Sequence, residues 1–141
     1  MKLATLLAAL VALAAAHHSS AASTFPCRWN WDLLYGNRPG YVTAGNSADC
    51  AGRAGSLTLK VRLLQRNDRT QPWRTVKHQS RTFHHLNRNR FVELATPCVA
   101  AQFRAIMRWV LRAPGGAVVA RHVVHTGTIT VPSPNCVVML G

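Results

Sequence analysis

The chain has 141 residues, 48% of them apolar, and carries 17 Lys and Arg against four acids for a formal charge of +13. That length is enough for one domain with its own core, though small enough to gain from covalent cross-links. With only Asp32, Asp49, Asp68 and Glu93 as carboxylates, paired acid–base chemistry has few candidates.

The chain opens on a positive Lys2 and an apolar run from Leu3 to Ala16, then turns polar at His17 and ends in small residues at Ala21 and Ala22. This is the plan of a secretory signal peptide, with residues 1–22 removed and 23–141 forming a single domain. The apolar run is shorter than a membrane-crossing helix needs, and no later segment reaches that length, so no membrane span is expected in the mature chain. An exported chain meets an oxidising compartment. Cys27, Cys50, Cys98 and Cys136 are then expected to pair, as Cys27–Cys50 and Cys98–Cys136, because each link closes a local loop. The chain-entropy estimate for the two loops is about 3.4 and about 3.9 kcal/mol. No pair has the Cys-x-x-Cys spacing usual in zinc sites.

Cys27 to Tyr35 alternates, with Cys27, Trp29, Trp31, Leu33 and Tyr35 on one side and Arg28, Asn30 and Asp32 on the other. That is a half-buried strand. Gly36 to Gly40 is a turn, Tyr41 to Thr43 a short strand, and Ala44 to Ser56, rich in small and polar residues, a loop. Leu57 to Arg66 is the clearest strand: Leu57, Leu59, Val61 and Leu63 face one way, Thr58, Lys60, Arg62 and Arg66 the other, with Leu64 the exception. Asn67 to Pro72 makes a turn. Trp73 to Gln79 returns as hairpin partner, His84 to Asn89 is loop, and Arg90 to Ala95 is a short strand.

Ala101 to Arg112 fits two patterns. As a strand it lines Phe103, Ala105, Met107, Trp109 and Leu111 on one face and Arg104, Arg108 and Arg112 on the other. As a helix, Val99, Phe103, Ile106, Met107 and Val110 form a stripe. The reversal at Ala113-Pro114-Gly115-Gly116 and the valine-rich run that follows favour the strand, with Ala117 to Val124 as its partner. Thr126 to Val131 is a last β-type run. About seven short strands with frequent turns predict an all-β fold, an antiparallel two-sheet sandwich.

The run Leu57 to Arg66, its polar turn and Trp73-Arg74-Thr75-Val76, then Cys98, Phe103-Arg104-Ala105 and a glycine-turned hairpin, resembles small secreted bacterial domains of the immunoglobulin or fibronectin type III kind. The resemblance spans Leu57 to Val131, implies an immunoglobulin-like sandwich, and carries no catalytic motif.

No nucleophile elbow, phosphate loop or free thiol is apparent, so no enzyme, metal site or cofactor is expected. His122 and His125, three apart on a strand, fall on opposite faces. The composition points instead to binding outside the cell. Arg104, Arg108 and Arg112, with Lys60 and Arg62 added, form a candidate site for an anionic polymer or cell-surface component, since arginine pairs bidentately with anions. A second possibility is a carbohydrate-binding platform built on Trp29 and Trp31, although tryptophans at period two more often face a core. A third is an inhibitor or effector acting through loops 44–56 or 79–89.

N-terminal sequencing of exported material should begin at or within about two residues of Ser23. A protein retained in the cytoplasm and still starting at Met1 would overturn the expected export.

Overall fold

The computed structural model describes residues 26–50 and 54–132. Eight strands follow in chain order: β1 Cys27–Tyr35, β2 Tyr41–Cys50, β3 Ser56–Arg66, β4 Arg74–Phe83, β5 Arg90–Pro97, β6 Ala101–Arg112, β7 Val118–His125 and β8 Ile129–Val131. They form two antiparallel sheets, one of three strands in the order β1-β2-β5 and one of five in the order β4-β3-β6-β7, with β8 also pairing β6. The all-β, two-sheet expectation holds, with eight strands in place of about seven.

The core lies between the sheets. Leu57, Leu59, Val61 and Leu63 of β3 are at most 1% exposed, and so are Phe103, Ala105, Met107 and Trp109 of β6. The segment 101–112 is therefore the strand, and its odd-numbered face is the one buried. Antiparallel partners point to the same side of a sheet. The register Leu59↔Trp109, Val61↔Met107 and Leu63↔Ala105 therefore stacks the two apolar faces into one surface. Burying side chains of this size stabilises by roughly 1.5–3 kcal/mol each.

The expected loop 44–56 is corrected: Ala44 to Cys50 are the last seven residues of the ten-residue strand β2, and Ser56 opens β3. The inward residues of β2 are Val42, Ala44, Asn46, Ala48 and Cys50, all buried. From Ala44 onward they are small or polar, so this part of the strand has little β-propensity of its own and is held by neighbours on both sides. The turn entering it needs left-handed backbone at Gly36 (φ 79°) and Gly40 (φ 78°), which glycine adopts without steric cost.

Two side chains tie the sheets together. Asn46 Nδ2 donates to Lys60 O at 3.0 Å and to Arg108 O at 3.1 Å. From the opposite sheet, Trp109 Nε1 donates to Ser47 O at 2.9 Å. Covalently, Cys27 and Cys50, directly opposed in β1 and β2, form a disulfide. One disulfide is thus seen where two were expected. Cys98 is not a free thiol, and its expected partner Cys136 lies outside the described residues, as does the expected signal peptide, residues 1–22.

Replacing Asn46 tests the cross-tie. Asn46→Ala leaves both carbonyls without this donor and should cost about 1–3 kcal/mol in denaturant unfolding. Asn46→Asp puts carboxylate oxygens against the same carbonyls and should cost more. An aspartate variant as stable as wild type would show that the tie contributes nothing.

Candidate functional site

Charge is divided between the two sheets. Asp32 lies in β1, Asp49 in β2 and Glu93 in β5, all in the three-stranded sheet, while Asp68 lies in the β3–β4 turn. The strands of the five-stranded sheet contain no carboxylate and carry Lys60, Arg62, Arg66, Arg104, Arg108, Arg112 and Arg121 among their residues.

The side chains facing out from that sheet follow from the alternation that buries its inner face. Lys60 stands opposite Arg108 on β6 and Ser80 on β4. The next outward row is His78, Arg62, Ile106 and His125. Between β4, β3 and β6 these rows enclose a concavity of about 550 Å³, lined by Lys60, Arg62, Arg108, His78, Ser80 and Thr75 among others. The strand pairing is irregular at the Thr75 end of this concavity. The β3–β4 register breaks between Leu63, paired with Lys77, and Leu64, paired with Thr75, which leaves Val76 as an extra residue. A bulge of this kind bends its strand and sharpens the twist.

Of the five expected binding residues, the fold brings Lys60, Arg62 and Arg108 together. The other two are engaged elsewhere. Arg104, four residues from Arg108, is displaced along the strand by about 13 Å. Its guanidinium carbon sits 4.5 Å from the centre of the Trp73 ring. Arg66 meets the same ring at 4.4 Å, and its Nε donates to Gln102 Oε1 at 2.7 Å. Arg112 lies at the far end, where it donates to Gly116 O at 3.1 Å. Four-residue spacing keeps Arg104, Arg108 and Arg112 on one face of β6, as the sequence predicts, and spreads them over about 27 Å. Leu64, the exception in the alternation, faces outward opposite Arg104 and is still only 7% exposed.

Asp68 is the acid nearest in sequence to this face, but it is committed to its own turn. It accepts from the Thr70 hydroxyl and, at 2.8 Å, from the Thr70 backbone N–H. These bonds hold its carboxyl below the usual range, with a smaller pull from the Arg66 charge.

The aromatic residues of β1 are placed differently from an open platform. Trp31 packs against the core. Trp29 is 38% exposed, with its ring 4.3 Å from His122 and 5.2 Å from Trp109. Because β1 is an edge strand, its inward-facing ring sits at the open side of the sandwich. His122 faces this cluster while His125 joins the outward row, as their spacing predicts. On the outer face of the three-stranded sheet, Asp32 Oδ1 accepts from Gly45 N–H at 2.9 Å. Gly45 permits this approach, since a Cβ there would lie 2.7 Å from the same oxygen. Among the described residues, no three His, Cys, Asp or Glu side chains converge, and no helix is long and apolar enough to cross a membrane.

No protein-family model and no curated protein matches the chain. The crystal structure of the sporulation control protein Spo0M from Bacillus subtilis aligns with 78% of this chain at 10% identity and a TM-score of 0.40. The aligned region is 51% of that protein, so this chain spans about half its length.

The lowered Asp68 carboxyl has a pH signature. A group whose folded value is depressed contributes stability that is present above its unfolded value, near the usual 3.8, and is lost as pH falls through the folded value. Asp68→Asn should therefore flatten the acid limb of the stability–pH curve in thermal unfolding and leave its slope near neutrality unchanged. An acid limb identical to wild type would show that the turn does not depend on the charged carboxylate.

Proposed function

We propose that this protein is a non-catalytic binding module for an anionic extracellular ligand, held in the groove formed by Lys60, Arg62 and Arg108. The observation that carries the reading is the convergence of three cations, from two adjacent strands, in one concavity on a sheet whose strands contain no carboxylate. Cations left without neutralising partners on one face set up a positive potential that draws in and orients anions. His78, Ser80 and Thr75 beside them add hydrogen-bonding groups. The engagement of Trp29 with Trp109 and His122 makes sugar stacking on β1 the weaker alternative.

The wider setting belongs to the same proposal. Export is supported by the disulfide between Cys27 and Cys50. A second link, between Cys98 and Cys136, is supported by Cys98 not being a free thiol. An immunoglobulin or fibronectin type III-like topology is supported by the strand order. Strands one, two and five pair in one sheet while three, six and seven pair in the other, as in immunoglobulin-type sandwiches, with β4 added beside β3.

Tripolyphosphate, a short polyanion, is a suitable probe. Changing Lys60, Arg62 and Arg108 together to Gln should lower its affinity about tenfold or more at low salt. The same change at the exposed Arg28, Arg69 and Arg88 removes equal charge away from the groove and should have a much smaller effect. Equal losses from the two triples would reduce the groove to a contributor to net charge. Absence of binding at low salt would overturn the proposal.

A further inference from the structure

We propose that the basic face is a track for a linear acidic polysaccharide, lying along β3 and β6 from the groove to the stack of Arg104, Trp73 and Arg66. This rests on the anion-binding reading above and adds the shape and chemical class of the ligand.

The shape follows from where the cations stand. On β3, Lys60, Arg62 and Arg66 face outward, with Leu64 between the last two. On β6, Arg108 stands opposite Lys60, and Arg104 opposite Leu64. At the rise of a strand, Lys60 to Arg66 covers about 20 Å. A compact anion fills the groove and reaches no further, so only an extended chain meets both ends.

The far end is pre-organised. Arg66 and Arg104 lie over one indole, at 4.4 and 4.5 Å from the Trp73 ring centre. Stacking restrains both guanidinium planes, so less freedom is lost when they bind an anion. The Nε of Arg66 is spent on Gln102 and the Nε of Arg104 is buried, so both arginines present their terminal amino groups to a ligand.

The same stack decides the class. Single-stranded nucleic acid gains about 1–3 kcal/mol per base by stacking on aromatic rings. Here Trp73 is engaged by two guanidiniums, and the exposed Trp29 and Phe91 belong to the other sheet. Neutral hydrogen-bonding groups instead accompany the cations, with Thr75 and Ser80 lining the groove. Alternating charged groups and hydroxyls along a polysaccharide match that mixture.

The test titrates the purified protein with size-defined heparin oligosaccharides, and with oligothymidylates of matched length, across a salt series. Affinity for heparin should rise with length until the oligosaccharide spans about 20 Å. Arg66→Gln combined with Arg104→Gln should remove that rise, lowering long-chain affinity about tenfold, and should reduce the salt dependence by about one charge per arginine. The shortest oligosaccharides should bind this variant as they bind wild type. If the double variant is thermally unstable, Gln102→Glu serves instead: it keeps the stack but sets a carboxylate beside Arg66, and should reproduce the long-chain loss. A wild-type affinity independent of length would overturn the track while leaving the groove in place. Tighter binding of the matched oligothymidylate would overturn the class. Loss of the shortest oligosaccharides and tripolyphosphate alike would instead refute the anion-binding reading beneath it.

Discussion

One buried amide sets the relation between the two sheets. Asn46 is the polar member of an otherwise apolar inward row on β2, and it is 1% exposed. An amide in such a place is costly unless it finds partners. It finds Lys60 O and Arg108 O, which belong to residues directly opposed on the two central strands of the other sheet. Its Oδ1 is buried without a hydrogen-bond partner among the described residues, so the two Nδ2 bonds are all that offset its burial. Sliding β2 against β3 and β6 would break both and orphan the NH2 as well, so the tie selects one alignment of the sandwich. Trp109 secures the same place from the other side by donating to Ser47, the neighbour of Asn46.

That tie also lies beneath the groove. The two residues whose carbonyls Asn46 holds, Lys60 and Arg108, project their side chains from the opposite side of the sheet, where they line the concavity. Core and site therefore share a backbone. The inner face of β3 and β6 is filled by Leu57, Leu59, Met107 and Trp109, and the outer face of the same residues' neighbours carries the cations. Rigid strands position such groups with less entropy to lose on binding than loops would.

Segregation of charge gives the face its character. Three of the four acids lie in the three-stranded sheet, and the fourth is held by Thr70 in its own turn. The cations of the five-stranded sheet are left with aromatic and neutral neighbours. Trp73, shared by Arg66 and Arg104, keeps two of them in place without neutralising them. Cations gathered without carboxylates on one face set up a positive potential outside the sheet.

The strands β3 and β6 were legible from residue order because large apolar side chains alternate with charged ones, and burial of one face leaves a single solution for each. Turn chemistry at Gly36 to Gly40 and at Ala113 to Gly116 was legible for the same local reason. The second half of β2 was not. Ala44, Asn46 and Ala48 carry little intrinsic preference for a strand. They are strand because β1 and β5 pair with them, because small residues leave room for the large ones opposite, and because Asn46 has acceptors across the core. At the site, the sequence by itself determined which residues are cationic and which of them share a face. Only the tertiary structure decided which ones meet. Arg104, Arg108 and Arg112 are near in sequence, yet the rise of a strand separates them by about 13 Å at each step. Lys60 is far from Arg108 in the chain and faces it across the β3–β6 ladder. Cross-strand register brought them together, and it is set by the packing of the whole core rather than by any local run of residues.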